Sequence, residues 1–228
     1  HGLFCFLHDD VALDPTAIRL LVEEMYRSNA GVVGPKLVDW KRPSVLQHVG
    51  YAVDRFGEVD PLVEPGEVDQ EQHDGVRDVF AVPSACLMVR ADLFRSVGGF
   101  DPAIEYAGDD VDLCWRAHLS GARVVVVPSA RARHREGLVR RLGEAHLAGR
   151  ATRDRLHTVL TLTGGRRVGV VVPQLVLITL LEVVVSLVTG HVRRAGAALS
   201  ALVGTVPRLP LVMARRREVA PLRVVPDL

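Results

Sequence analysis

The chain has 228 residues, room for one ample hydrophobic core and an appendage, and its formal net charge is only +1. That balance conceals an asymmetry: from Arg166 onward nine arginines face three acids (+6), which leaves nineteen basic and twenty-four acidic residues (−5) in residues 1–165. A mildly acidic part joined to a basic, apolar tail points to anionic lipid rather than nucleic acid, since no basic–aromatic stripe occurs, and three scattered cysteines (Cys5, Cys86, Cys114) argue against a disulfide framework or a thiolate zinc site.

The chain opens on His1, and Gly2-Leu3-Phe4-Cys5-Phe6-Leu7 reads as a buried strand. A domain rarely begins on a core strand, so a piece of a longer protein is expected; nothing at this end has the layout of a signal peptide. The strand stops at His8-Asp9-Asp10, and a short extended stretch follows to Leu13. Asp14-Pro15 then signals a helix, with Asp14 as cap, Pro15 in the first helical position, and Ile18, Leu21, Val22 and Met25 at helical spacing. Gly31-Val32-Val33-Gly34-Pro35 predicts a strand closed by a turn. Residues 45–80 are polar and predict a hairpin near 50–58 within a long surface loop.

Residues 79–82 and 86–90 form a strand region interrupted by Pro83-Ser84, and 91–97 a short helix stopped by Gly98-Gly99. A further helix over 110–120 carries Val111, Cys114, Trp115 and His118 on one face, and 122–127 is a β-branched strand closed by Pro128. Strands alternating with helices predict a three-layer α/β domain.

Three groups of residues can carry chemistry. His8-Asp9-Asp10 ends a strand, where open α/β sheets bind ligands, and carboxylates there can hold Mg²⁺ or Mn²⁺ beside phosphate oxygens; two adjacent acids can equally just terminate a strand. Asp109, Asp110 and Asp112 gather at a helix head, where they complement free N–H groups or, alternatively, place a general base at the crevice. His134, in a run of arginines, is either solvated or an imidazole ligand that joins Asp10.

Taken in order, these segments resemble the inverting family-2 glycosyltransferases of the GT-A fold. The resemblance rests on His8-Asp9-Asp10, on Pro83-Ser84-Ala85-Cys86-Leu87-Met88-Val89-Arg90, on Gly98-Gly99-Phe100-Asp101, on Asp109-Asp110-Val111-Asp112-Leu113 with Arg116, and on His134. Gly34-Pro35-Lys36-Leu37 and Arg153-Asp154-Arg155-Leu156 add to it. It implies the C-terminal part of a Rossmann-like three-layer domain over residues 1–150, whose earlier strands hold the nucleotide base. It also implies Asp110 as catalytic base and Asp109 as the acid that positions the acceptor. Asp10 and His134 become ligands of Mn²⁺ or Mg²⁺, and His8, Asp9, Ser84, Ala85, Asp112 and Arg116 substrate-binding residues. His8 departs from the Asp or Asn usual at its position. The Gln-x-x-Arg-Trp signature of processive synthases is missing, which implies one sugar per encounter.

Activity then means transfer from a nucleotide-diphosphate sugar to a glycan or lipid-linked acceptor, in cell-envelope polysaccharide or glycolipid synthesis. The rival readings are a non-catalytic scaffold of the same fold and a metal-dependent phosphohydrolase built on His8-Asp9.

Residues 151–228 read as a helical, membrane-associated tail similar to that of membrane-anchored actinobacterial members. The apolar run 168–190 holds only Gln174 and Glu182 as strongly polar members and is long enough, at ~1.5 Å per residue, to cross a ~30 Å hydrocarbon layer. Pro173 predicts a late start or a kink, and a weaker apolar stretch over 195–214 is broken by Pro207, Arg208 and Pro210. Arginine pairs flank the run at 166–167 and 193–194, so charge gives no orientation; cytoplasmic donor nucleotides imply a cell-membrane protein with its catalytic part facing the cytoplasm.

Overall fold

A computed structural model of the chain describes residues 2–137 and 144–225. Its centre is a seven-stranded mixed sheet. Along the main path β1 (Leu3–Leu7) neighbours β8 (Cys86–Arg90), then β3 (Val32–Asp39), β9 (Val124–His134) and β2 (Val11–Leu13); β4 (Leu46–His48) adds to β3 and β7 (Arg77–Asp78) to β9. Among the described residues only β3 and β9 run parallel.

The valine-rich sequence of β3 and β9 follows from burial on both faces. Val33, Val125 and Val127 face one way, with Leu21 and Met25 of α1 (Ala17–Ser28), while Val32, Val124 and Val126 face the other, with Leu113, Cys114 and Ala117 of α3 (Asp109–Leu119). This is the expected three-layer α/β arrangement. Each such valine, leucine or methionine side chain contributes about 1.5–3 kcal/mol on burial, so the layers hold without disulfides.

Several local expectations are corrected. β1 lies at the edge of the sheet and is only half-buried, with Leu7 exposed, so its apolar run is not a core strand. α1 starts at Ala17, two residues later than Asp14-Pro15 suggested, and its N-cap Thr16 makes no side-chain cap bond. Residues 79–82 are not a regular strand; Ala81 makes an isolated bridge to Tyr51.

Neither Pro35 nor Pro128 ends its strand. In the β3–β9 ladder Val127 pairs with Pro35 and Arg131 with Lys36, so Pro128, Ser129 and Ala130 form a bulge beside Pro35. Proline is tolerated where the ladder is already interrupted, and the bulge lets both strands continue. Its consequence is functional: β9 runs on to His134.

The predicted hairpin is present as β5 (Tyr51–Val53) and β6 (Val59–Pro61), and α2 (Ala91–Ser96) stops before Gly98-Gly99. The tail forms α4 (Glu144–Leu162), α5 (Gly165–Val188), α6 (Val192–Thr205) and α7 (Leu209–Val219). α5 begins well before Pro173 and contains it, so the late start is not seen. A division at residue 150 falls inside α4, whose Leu156, Val159 and Leu162 share one core with Leu113 and Val126. Val171, Leu175, Ala201 and Val219 of the later helices join that core, while Leu177, Leu181 and Val188 point outward at 67%, 60% and 81% exposure.

Candidate functional site

A cavity of about 660 Å³ opens beyond the end of β1. The His8 backbone N–H donates to the Ala85 carbonyl at 3.0 Å, which fixes the turn as the chain leaves the sheet. The chain re-enters through β2, where Val11 pairs with His134. This pairing, reached only because β9 continues past its bulge, brings Asp10 beside His134: Oδ1 lies 3.4 Å from Nε2. The other carboxylate oxygen of Asp10 accepts the Gly137 N–H at 2.8 Å. The rings of His8 and His134 are 5.8 Å apart, and one ligand atom from each of His8, Asp10 and His134 lies within 4.8 Å of the others.

The electrostatics suit a cation. Burial pushes His134 below the ordinary imidazole value, despite the opposing pull of Asp10, so its ring is neutral at pH 7 and keeps a lone pair. Burial alone would raise Asp10, but the Gly137 N–H and the neighbouring His134 and His8 outweigh it and hold the carboxyl below its usual range.

The opposite wall is the head of α3. Gly108 precedes it at φ +90°, a left-handed conformation that glycine adopts without strain, so the helix can start with its acids turned into the cavity. Asp110 accepts the Ser84 N–H at 3.1 Å and the Val111 N–H at 2.8 Å. The Ser84 hydroxyl donates to Asp109 at 3.2 Å and lies 3.5 Å from His8 Nε2, so this one serine links the two walls. Burial, reinforced by the charge of Asp109, raises Asp110 to about 7 against the effect of its N–H donors. A carboxyl at that value is matched to proton transfer at neutral pH.

His8, Asp9, Asp10, Ser84, Ala85, Asp109, Asp110 and His134 therefore line one cavity. Asp112 and Arg116 do not, and their assignment as substrate-binding residues is corrected. Both are 0% exposed and pair with each other; Arg116 also donates to the carbonyls of Val97 (2.7 Å) and Gly99 (2.6 Å). They brace the Gly98-Gly99 turn against α3. Sequence reasoning missed His48, Tyr51 and Glu136, which also line the cavity. The His48 and Tyr51 rings meet at 5.1 Å; burial lowers His48 to about 4 and raises the Tyr51 hydroxyl. The only available signal was Gly50 between them, whose φ of +89° marks the turn that brings both inward.

The family model for glycosyl transferase family group 2 matches residues 3–196. The O-antigen biosynthesis protein RfbC of Myxococcus xanthus is 33% identical over 145 residues, which is 61% of this chain and 11% of that protein. The pre-mycofactocin glycosyltransferase of Mycobacterium tuberculosis is 47% identical over 53 residues, 23% of this chain and 11% of that protein. The chain thus spans only about a ninth of these curated relatives, matching 11% of each. Among solved structures, the crystal structure of GalNAc-T7 with UDP, GalNAc and Mn²⁺ superposes with a TM-score of 0.50 at 12% identity, over 70% of this chain and 31% of that one; this likeness concerns the fold alone.

Proposed function

The chain belongs to glycosyl transferase family group 2, and from that membership we propose that it transfers a sugar from a nucleotide-diphosphate donor to an acceptor hydroxyl with inversion, in the synthesis of cell-envelope polysaccharide or glycolipid. The observation that carries this reading is the opposition of two walls in one cavity: His8, Asp10 and His134 on one side, Asp109 and Asp110 on the other.

The first wall fits a divalent cation. Two imidazoles and a carboxylate converge within 4.8 Å; the carboxylate suits Mn²⁺ or Mg²⁺, the imidazoles favour Mn²⁺ of the two, and there is room for phosphate oxygens. When bound, such an ion neutralises charge on the diphosphate. His8, Asp10 and His134 would hold it, and Asp9 lies at the same mouth for contacts with the donor.

Asp110 is the base. Its carboxylate accepts the proton of the acceptor hydroxyl while that oxygen forms a bond to the anomeric carbon. The bond from that carbon to the diphosphate breaks on the opposite face, and the electron pair departs with the nucleotide diphosphate. Ser84 orients both acids, and Asp109 is placed to hold the acceptor while raising the proton affinity of its neighbour.

The outward faces of α5 and of the helical stretch Val192–Leu222, two segments long and apolar enough to cross a membrane, support attachment to the cell membrane, and a cytoplasmic donor puts the cavity on the cytoplasmic side. A donor screen read as release of nucleotide diphosphate tests the whole proposal. Release with at least one nucleotide-sugar, dependent on Mn²⁺ or Mg²⁺ and increased by acceptor, is the expected result; no release from any donor would contradict it.

A further inference from the structure

Between Asp101 and the start of α3 the chain forms neither helix nor strand, so the place of the helix head depends on what holds this segment. At its start, Asp101 Oδ2 lies 3.1 Å from His157 Nε2 of α4 and accepts the Arg215 Nε–H of α7 at 3.1 Å. At its end, Asp154 of α4, one turn before His157, accepts two backbone N–H groups on one oxygen: Tyr106 at 2.8 Å and Ala107 at 3.3 Å. In the middle, Glu105 takes Arg153 at 2.8 Å and Arg208 at 2.6 Å, but its side chain is 45% exposed, and ion pairs in water hold little.

Asp154 is a different case. It is 0% exposed, and its second carboxyl oxygen is buried without a hydrogen-bond partner among the described residues. A buried carboxyl left half satisfied costs stability that an apolar side chain of similar volume would not. Stability therefore does not account for it; location does. Tyr106, Ala107 and Gly108 are wall of the cavity that holds Asp109 and Asp110, and the Gly108 carbonyl accepts the Asp112 N–H at 2.8 Å as the helix begins. A backbone shift at Ala107 is passed straight to the two acids.

We propose that Asp154 is a positioning residue for the transfer: its bonds to Tyr106 and Ala107 set where α3 begins and so hold Asp109 and Asp110 opposite His8, Asp10 and His134. The inference rests on the transferase reading above and adds to it a residue that touches no substrate.

The test compares Asp154→Asn, which keeps an acceptor oxygen, with Asp154→Leu, which fills a similar volume without one, and with Glu105→Gln as a control on the exposed pairs. Nucleotide diphosphate release is followed with Mn²⁺ and the nucleotide-sugar that gives the largest release in the donor screen. Asp154→Leu should lower kcat about a hundredfold, the scale of a misplacement of roughly 1 Å, with the KM for donor within about threefold of the parent. Asp154→Asn should keep kcat within about threefold and Glu105→Gln within about twofold. The pH midpoint of transfer by Asp154→Leu should move down from about 7, because water admitted at the loosened wall undoes part of the burial that raises Asp110. The other titratable groups facing Asp110, namely Asp109, Tyr51 and Cys114, are the same in every variant. A merely structural brace would lower thermal stability and leave kcat and the midpoint of the folded protein where they were. Mn²⁺ affinity, set by the opposite wall, should stay parental and verifies the fold. If Asp154→Leu does not fold, Asp154→Ser, too short to reach either N–H, decides with the same expected fall. Parental kcat in the Leu or Ser variant, an unmoved midpoint, or a loss in Asp154→Asn equal to that in Asp154→Leu overturns the positioning role. A parent chain that releases nucleotide diphosphate from no donor overturns the transferase reading and this role with it, whereas parental release that Asp154→Leu matches overturns this role alone.

Discussion

At the scale of single residues, the site depends on where two carboxyls sit on the pH axis. Burial holds Asp110 at about 7, well above its value of ~3.9 in an unfolded chain. Between those values the folded protein keeps a proton that the unfolded chain has released, so stability falls as pH rises from about 4 to about 7 and stays lower above. Asp110→Asn removes that loss. The variant should match the parent below pH 4 and exceed it above pH 7 by roughly 1–3 kcal/mol, after allowance for solvent at the part-exposed carboxyl, measured by urea denaturation. Equal stability at both ends would show that burial does not tune this group. On the other wall, His134→Ala and Asp10→Asn should each weaken Mn²⁺ binding by at least about tenfold, read by calorimetry with the fold intact. Affinity equal to that of the parent chain would remove these two from the metal site. That His8, Asp10, Asp110 and His134 line one cavity was legible because strand ends and helix heads deliver side chains to a crevice. Asp112 and Arg116 were misread because an acid at a helix head looks the same whether it faces a ligand or, as here, an arginine one turn on.

At the scale of elements, the buried Asp112–Arg116 pair holds α3 to the turn that precedes it. Arg116→Ala leaves a carboxylate with no exposure and without its hydrogen-bonded partner, so a loss of about 3–5 kcal/mol is expected in urea denaturation. A loss below 1 kcal/mol would mean that Asp112 is rescued by protonation or by Arg215, which also acts on it. The helices α2, α3 and the β5–β6 hairpin were readable from glycine stops and periodicity. The lengths of β3 and β9 were not, since proline predicts a strand end and the bulge that accommodates Pro35 and Pro128 exists only once both strands are paired. Likewise the run 168–190 was readable as an apolar helix, but the partner of its Glu182 was not: Arg194 reaches back across the turn between α5 and α6. That contact offsets part of the cost of an acid in an apolar run.

For the whole molecule, the tail is at once part of the core and a candidate membrane surface. Val171, Leu175, Ala201 and Val219 pack inward, so deleting the tail would strip the α/β layers, and point changes on its outer face are the cleaner probe. Leu177→Asn, Leu181→Asn and Val188→Asn combined should move the chain from the membrane fraction to the soluble one, because each puts a polar amide where acyl chains would lie. Unchanged fractionation would mean that this face does not touch lipid. Composition had marked the tail as separate; only packing reveals that α4 ties it to α3, because a shared core leaves no trace in charge or hydropathy along the chain. The central claim is that Asp110 takes the acceptor's proton in a metal-dependent sugar transfer. Its most direct test is the pH profile of product formation, with Mn²⁺ and a donor found by the screen, for the parent protein and for Asp110→Asn. The account predicts transfer that rises with pH through about 7 in the parent and falls by at least about a thousandfold in the variant, with donor binding retained. Near-parental transfer by Asp110→Asn, or a profile with no inflection near that pH, would contradict it.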